Sequence, residues 1–180
     1  MKKIVVIFLV LTILSLSGCK GGGYTMKQTI QIASPVFGNG EFIPIKYTGF
    51  GEDVSIPLEW NDIPDKTQSI AIIMDDPDAP FGTFTHWIIF NIPKNKHFLS
   101  EGVPQKPILE DGSKQGRNDF GNIGYNGPKP PSGKVHHYHI KIYALDTILN
   151  LQPGITSKAF FRAIKGHILA KGELIGLFKR

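Results

Sequence analysis

The feature that most constrains the fold is a succession of short apolar segments between residues 29 and 146, separated by Gly, Pro, Asn and Asp. Such a pattern is typical of a β-sandwich or a β-barrel. Two segments, residues 70–74 and 87–92, are apolar without alternation, which predicts central strands that are covered on both faces. The candidate strands are residues 29–32, 43–47, 69–74, 84–92 and 136–145.

One amphipathic helix is predicted near the C-terminus. Thr156 or Ser157 can serve as its N-cap, and the helix is expected to end near Gly172, before a last short strand over residues 174–178. The apolar face can pack on the sheet or contact lipid, and packing is favoured because this is the only good helix in a mainly β chain. The apolar positions are Phe160, Phe161, Ile164, Ile168 and Leu169.

The first 18 residues have the organisation of an export signal. Lys2 and Lys3 precede an uncharged apolar run over residues 4–14, which is shorter than the roughly 20 residues of a membrane-spanning helix. Leu-Ser-Gly-Cys then resembles the lipobox of bacterial lipoproteins. The sequence therefore predicts a lipoprotein signal peptide over residues 1–18 and diacylation of Cys19, the only cysteine. A plain secretory signal is the alternative.

A lipid anchor at Cys19 predicts an exported protein that stays on the cell membrane or the outer membrane, because two or three acyl chains hold stably. Residues 19–28 then form a flexible glycine-rich tether, and residues 29–180 a single domain. Removal of the signal peptide takes away Lys2 and Lys3 and lowers the formal net charge from +5 to +3. This charge is too mild to predict a nucleic-acid partner.

A first polar cluster, residues 75–80, follows the predicted central strand and reads Asp-Asp-Pro-Asp-Ala-Pro. It contains Asp76 and Pro80. Three carboxylates at the mouth of a core strand can form a site, or they can cap backbone amides in a proline-rich turn. The local sequence leaves both interpretations open.

A second polar position, His86, lies inside the next apolar strand. Strict alternation places His86 on one face together with Phe84, Ile88, Phe90 and Ile92. A histidine with such neighbours either lines a pocket or is a satisfied core residue.

A third cluster, His136-His137-Tyr138-His139, opens the predicted strand 136–145. The even positions of this strand are the more apolar ones, so alternation turns His136 and Tyr138 towards the interior. His137 and His139 are expected on the wetter face. The long glycine- and proline-rich loop over residues 116–134 precedes the cluster, and loops of this length are often functional.

Four motifs in this order resemble the phosphatidylethanolamine-binding protein family, and more narrowly its bacterial Raf-kinase-inhibitor-like branch. The resemblance spans nearly all of the chain after the signal peptide. The motifs are Asp-Pro-Asp-Ala-Pro at residues 76–80, Thr-His-Trp at 85–87, Gly-Tyr-Asn-Gly-Pro at 124–128 and His-His-Tyr at 136–138.

The resemblance implies two antiparallel sheets in Greek-key connection, a C-terminal helix and a shallow pocket for phosphate, phosphorylated headgroups or other small anions. It implies no cofactor. The pocket residues that it implies are Asp76, His86, His136 and Tyr138, with Pro80 and Gly127 flanking them. Phe84 departs from the tryptophan of better-known eukaryotic members, so this part of the wall can differ in shape.

Three functions remain open on the sequence. The first is binding of an anionic small molecule or phospholipid headgroup without catalysis, with Asp76 orienting a histidine or accepting a ligand ammonium. The second is a metal- or histidine-dependent hydrolase, in which His86, His136 and nearby acids would serve as metal ligands or as acid and base. His137 and His139 also share a strand face, which makes metal analysis informative. The third is an extracytoplasmic protein-interaction or inhibitor module, and no motif identifies its protein partner. Binding is favoured because the chain contains no recognisable nucleophile motif.

Overall fold

The computed structural model describes residues 28–180, and the predicted signal peptide, Cys19 and most of the predicted tether lie outside this range. The described part is mainly β, with one α-helix, and none of its helices is long and apolar enough to cross a membrane. The elements are β1 Gln28–Thr29, β2 Gln31–Ala33, β3 Glu41–Phe42, a 3-10 turn Ile45–Tyr47, β4 Leu58–Asn61, β5 Ser69–Asp76, β6 Phe84–Pro93, β7 Phe98–Leu99, β8 Lys114–Gln115, β9 His136–Leu145, α1 Ser157–Ile164 and β10 Ile168–Phe178.

The strands of the described residues form two sheets. The larger has the order β1-β10-β9-β5-β6-β8, with β3 also paired to β10, and the smaller has the order β2-β4-β7. This confirms the predicted mainly β, two-sheet fold. The pairing is not wholly antiparallel, however, because the short strands β1 and β3 both run parallel to β10.

The larger sheet separates two apolar layers. Ile70, Ile72 and Met74 of β5 face the core between the sheets, whereas Ala71 and Ile73 face the layer under α1. Every residue of β5 is buried, as the absence of alternation in residues 70–74 predicted.

The helix α1 begins as predicted and ends earlier. The Thr156 hydroxyl accepts a hydrogen bond from the Ala159 amide, and Phe160 and Ile164 are buried against the sheet, so the prediction of core packing is confirmed. The predicted end near Gly172 is wrong. Gly166 adopts a positive φ of 90°, which terminates the helix, and the chain then continues as the long strand β10.

Two predicted strands differ from the structure. Residues 29–32 contain parts of two short strands that belong to different sheets, and the break falls at the buried Ile30. Residues 43–47 form no strand. Instead Ile45–Tyr47 form a 3-10 turn, because Pro44 lacks an amide hydrogen for a strand ladder and its carbonyl accepts from the Tyr47 amide. The strand β4 was not predicted, although its burial alternates.

The pairing of β5 with β6 contains a β-bulge at His86. Met74 lies opposite Trp87 and Asp75 lies opposite Thr85, so His86 is an extra residue on β6. As a result His86 and Trp87 both point towards the inter-sheet side, His86 against Tyr138 and Trp87 against Tyr125.

Because of this bulge and a second irregularity, the side chains predicted to share one face of β6 lie on both of its faces. Ile88 and Phe90 pack in the layer under α1, on the side opposite to that of His86. The second irregularity lies beside Asn91, whose φ is 57°, and it returns Ile92 to the core between the sheets. Strict alternation could not foresee either shift.

A substitution at Gly172 tests how closely the N-terminal segment approaches β10. A Cβ atom at this position would lie 2.1 Å from the Ile30 carbonyl oxygen. We expect Gly172→Ala to lower the free energy of unfolding by about 1–3 kcal/mol, as overpacking does in cores. Urea denaturation measures the change, with Lys171→Ala on the exposed side of the same strand as control. Equal stability of the two variants would contradict the assigned contact.

Candidate functional site

A cavity of about 350 Å³ opens at the end of the larger sheet where β5 ends and β9 begins. Five of the six residues predicted from the sequence line it, and Gly127 does not. The lining residues are Asp76, Ala79, Pro80, Phe81, Gly82, Thr83, Phe84, His86, Asp119, Phe120, Lys129, Pro130, Pro131, His136 and Tyr138.

The floor of the cavity contains a buried hydrogen-bonded pair, Asp76 and His136, from neighbouring strands. Asp76 is the last residue of β5 and His136 is the first residue of β9, and Asp76 Oδ2 lies 2.7 Å from His136 Nδ1. Asp76 Oδ1 accepts a second hydrogen bond from the Asp78 amide. Because the carboxylate holds Nδ1, it fixes the orientation of the ring and leaves Nε2 as the nitrogen that can meet a ligand.

His86 forms part of the wall as a neutral imidazole. Its Nδ1 lies 2.8 Å from the Asn126 carbonyl oxygen, which can only accept, so Nδ1 carries the proton. Burial lowers the pKa of His86 below 6.5, and this effect outweighs the opposing contributions of the Asn126 and Gly127 backbone and of Asp76 and Asp119.

Tyr138 brings an unsatisfied hydroxyl to the same floor. Its side chain is fully buried, and the hydroxyl has no hydrogen-bond partner among the described residues. Burial, with the carboxylates of Asp76 and Asp78, raises the pKa of Tyr138, so the phenol keeps its proton and can donate. A buried polar group without a partner costs about 1–3 kcal/mol, and a ligand can recover part of that cost.

Aromatic side chains form another wall of the cavity. The Phe84 and Phe120 rings meet edge to face at 4.7 Å, and His86 lies 5.2 Å and 5.4 Å from them. Phe84, the position that departs from the tryptophan of eukaryotic members, is half-buried in this wall. Phe81 is fully exposed at the rim.

Several lining residues were missed because they lie on loops, where no periodicity shows which way a side chain points. Asp119 Oδ2 accepts from the Thr85 amide at 2.7 Å and attaches its loop to β6. Lys129, Pro130 and Pro131 come from the proline-rich part of the loop before β9. The length and composition of this loop were the only signals, and they did not single out a residue.

Gly127 lies beside the cavity wall, where it holds the loop in place. Its amide donates to Asp53 Oδ1 at 2.6 Å, and the Asn126 side chain donates to Asp53 Oδ2 at 2.8 Å. A Cβ atom at position 127 would lie 2.1 Å from the Tyr47 carbonyl oxygen. Only glycine therefore allows the loop to approach the 3-10 turn this closely.

His137 and His139 lie outside the cavity. His137 is exposed and His139 is partly exposed, as alternation predicted, and their Nδ1 atoms contact Asp78 at 2.7 Å and Glu173 at 2.9 Å. Within residues 28–180, no three His, Cys, Asp or Glu side chains are grouped so that they could hold a metal ion.

Comparison with known proteins identifies the family. The family profile described as phosphatidylethanolamine-binding protein matches residues 33–179. The chain belongs to this family. A UPF0098 protein of Pyrococcus horikoshii is 50% identical to it over 183 residues, covering 100% of this chain and 91% of the relative. A UPF0098 protein of Methanothermobacter thermautotrophicus is 47% identical, covering 84% and 99%.

Two solved structures are similar along most of the domain. YbcL of Escherichia coli, described as a member of the mammalian PEBP family, superposes with a TM-score of 0.79 at 30% identity, covering 84% of this chain and 98% of its own. The PEBP homologue CT736 of Chlamydia trachomatis superposes with a TM-score of 0.77 at 35% identity, covering 85% and 99%. The family fold implied by the sequence motifs is thereby confirmed.

The buried pair gives a first test of the site. We expect Asp76→Ala to lower the free energy of unfolding by about 1–3 kcal/mol, because it leaves the buried Nδ1 of His136 without its hydrogen-bond partner. Glu173→Ala, which removes the exposed partner of His139, serves as control and should cost about 1 kcal/mol or less. Urea denaturation of both variants makes the comparison, and similar losses would show that the Asp76–His136 contact is not special.

The pH dependence of stability tests the burial of His86. Its pKa is lowered in the folded state, so below about pH 6.5 the unfolded chain takes up a proton that folded His86 resists. The free energy of unfolding should therefore fall as the pH falls through this range. His86→Gln should lose less stability than the wild type between about pH 7.5 and about pH 5. If the free energy of unfolding falls equally with pH in the two proteins, the assigned burial of His86 is contradicted.

Proposed function

We propose that the chain is a membrane-anchored, extracytoplasmic binding protein whose cavity holds a small anion, such as phosphate or a phosphorylated headgroup. The Tyr138 hydroxyl carries this proposal. It is a protonated donor, buried at the floor of a cavity and without a partner in the described protein. A ligand oxygen would satisfy it.

The charges around the cavity are compatible with an anion despite its two carboxylates. Both oxygens of Asp76 already accept hydrogen bonds, from His136 and from the Asp78 amide. Nε2 of His136 is the ring nitrogen left to face an anion, and Asp76 lies on the other side of the ring. Lys129 adds a positive charge on an exposed part of the lining.

The size and the wall favour a small ligand that has an apolar portion. A volume of about 350 Å³ is at the lower end of the range for small-molecule sites. The phosphate of a ligand would lie between His136 and Tyr138, and the remainder would extend along Phe84 and Phe120 towards the rim.

The location in this proposal depends on the N-terminal residues. A signal peptide over residues 1–18 and a lipid on Cys19 would attach the domain to the outer face of the cell membrane or to the outer membrane. The membrane is then a partner through the lipid, and neither a nucleic acid nor a particular protein is proposed as one.

A histidine-dependent hydrolase is the second candidate, because the Asp76 carboxylate orients His136 in the way that an aspartate orients a histidine acting as general base. Such a pair activates a hydroxyl or a water molecule. Besides Tyr138, the lining contains one hydroxyl side chain, that of Thr83, which is exposed. Among the described contacts, no hydrogen bond joins Thr83 to His136 or His86. Binding without catalysis is therefore the preferred function.

Tyr138→Phe separates a binding role from a structural one. Removing an unsatisfied hydroxyl should leave the free energy of unfolding unchanged or higher. The affinity for inorganic phosphate should fall about 10- to 100-fold, because one charge-assisted hydrogen bond to the ligand is lost. Calorimetric titration with phosphate measures the affinity. Tyr143→Phe on the opposite face of the sheet is the matched control. Unchanged affinity in Tyr138→Phe would contradict the assigned cavity.

A further inference from the structure

The ring nitrogen that His86 has available for a ligand is a hydrogen-bond acceptor, because the other nitrogen is already occupied. Nδ1 donates to the Asn126 carbonyl oxygen at 2.8 Å, and among the described residues no hydrogen bond engages Nε2. In a neutral imidazole with its proton on Nδ1, Nε2 has only a lone pair. Since His86 lines the cavity, a ligand finds there a nitrogen that accepts a hydrogen bond and does not donate one.

The Asn126 carbonyl that sets this tautomer is held in place by its neighbours. The backbone amide of Asn126 donates to the His86 carbonyl oxygen at 3.1 Å, so the two residues are joined twice. The side-chain oxygen of Asn126 accepts from Asn118 and Asn122, both at 2.9 Å, and its side-chain nitrogen donates to Asp53 at 2.8 Å. Every polar group of Asn126 thus has a partner, and the tautomer of His86 is built into the wall before a ligand arrives.

The surroundings of His86 also keep its ring neutral. The residue is only 3% exposed, and three aromatic rings pack against the imidazole at centroid distances of 5.2 or 5.4 Å. Burial lowers the pKa of His86 and outweighs the nearby carboxylates of Asp76 and Asp119. The other titratable groups of the lining are those of Lys129, His136 and Tyr138.

The lining therefore presents donors and acceptors together. Tyr138 has a protonated hydroxyl without a partner among the described residues, and Lys129 is a second donor. Nε2 of His86 and the Asp119 carboxylate are acceptors. An anion that has only lone pairs satisfies the donors but leaves the buried acceptor of His86 without a hydrogen bond, which weakens its binding. An anion with one O–H group satisfies both kinds.

We infer that the cavity selects an oxyanion that carries its own proton, namely a phosphate or a phosphate monoester with a P–OH group, and that it discriminates against sulfate and against phosphate diesters. His86 determines this specificity, and Asn126 and Asp53 are positioning residues that act through it. The inference rests on the proposed anion-binding function and adds the protonation state of the ligand. It favours a free phosphate or monoester over an intact phospholipid, whose phosphodiester has no P–OH group.

Phosphate and sulfate are matched ligands for the test. At about pH 8 both are tetrahedral dianions, since the second ionisation of a phosphate group lies near neutral pH, and only phosphate still carries a proton. In calorimetric titration of the full chain in a non-ionic detergent, phosphate should bind about 10- to 100-fold more tightly than sulfate. Sulfate binding as tight as phosphate binding would overturn the inference and leave the anion cavity in place. If neither anion binds, the proposed function is contradicted and the inference falls with it.

His86→Gln tests whether this residue is the origin of the discrimination. A glutamine amide can turn either its oxygen or its NH2 group towards a ligand, so the ratio of the phosphate and sulfate affinities should fall to within about threefold. His139→Gln is the matched control, because His139 lies outside the cavity and contacts Glu173. The control should keep the wild-type ratio. A wild-type ratio in His86→Gln would show that His86 does not select the anion.

The tautomer of His86 is measurable in the unaltered protein, so the test does not depend on the folding of a variant. Long-range proton–nitrogen NMR spectra of histidine-labelled protein should show a protonated Nδ1 and an unprotonated Nε2, both without ligand and with saturating phosphate. The signals of His86 are those that disappear in His86→Gln. A proton that appears on Nε2 when phosphate binds would mean that the protein, rather than the ligand, supplies it, and the inference would be wrong.

Monoesters and diesters distinguish the two sources of a phosphate group. At about pH 6, where a substantial fraction of a monoester carries a P–OH group, methyl phosphate should bind at least about 10-fold more tightly than dimethyl phosphate. Glycerophosphoethanolamine has the diester and the ammonium group of a phospholipid headgroup, and it should also bind more weakly than methyl phosphate. Binding of either diester as tightly as the monoester would refute the selection for a P–OH group.

Discussion

The burial of β5 on both of its faces is the constraint on which the structure depends. None of its eight residues is exposed, so one apolar layer must cover each side, and α1 and the smaller sheet provide those layers. Neighbouring strands then have to supply hydrogen-bond partners for its backbone on both edges. The polar end of β5 is consequently fixed in space, and Asp76 is placed beside the first residue of β9 without any loop having to position it.

The bulge at His86 allows core and cavity to share one strand. In a regular strand successive side chains point to opposite faces, so residue 86 would point away from the core if residue 87 points into it. With one extra residue on β6, Trp87 donates to Gln115 inside the core at 2.7 Å while His86 stays on the cavity side. Burial of the imidazole lowers its pKa, so the site gains a neutral hydrogen-bonding ring at a cost in stability under acid conditions.

Sequence periodicity predicted the parts of the fold that are governed by burial. It gave the central strands, the inward direction of His136 and Tyr138, and an N-cap of α1 at Thr156 or Ser157, which the structure places at Thr156. It failed where one local conformation overrides a pattern, as at Gly166 and at the bulge in β6. The motifs also indicated which side chains to consider for the cavity, whereas Asp119 and Lys129 depend on the path of irregular loops and could not be located from spacing.

The position of β10 has a consequence for the order of folding. This strand lies between β9 and the two short strands β1 and β3, so the first described segment of the chain is hydrogen-bonded to the last. Contacts across so much of the sequence raise the contact order and slow folding. During synthesis β1 and β3 have no strand to pair with until residues 168–178 have left the ribosome. Completion of the larger sheet thus has to wait for β10, the last of the described strands to be synthesised.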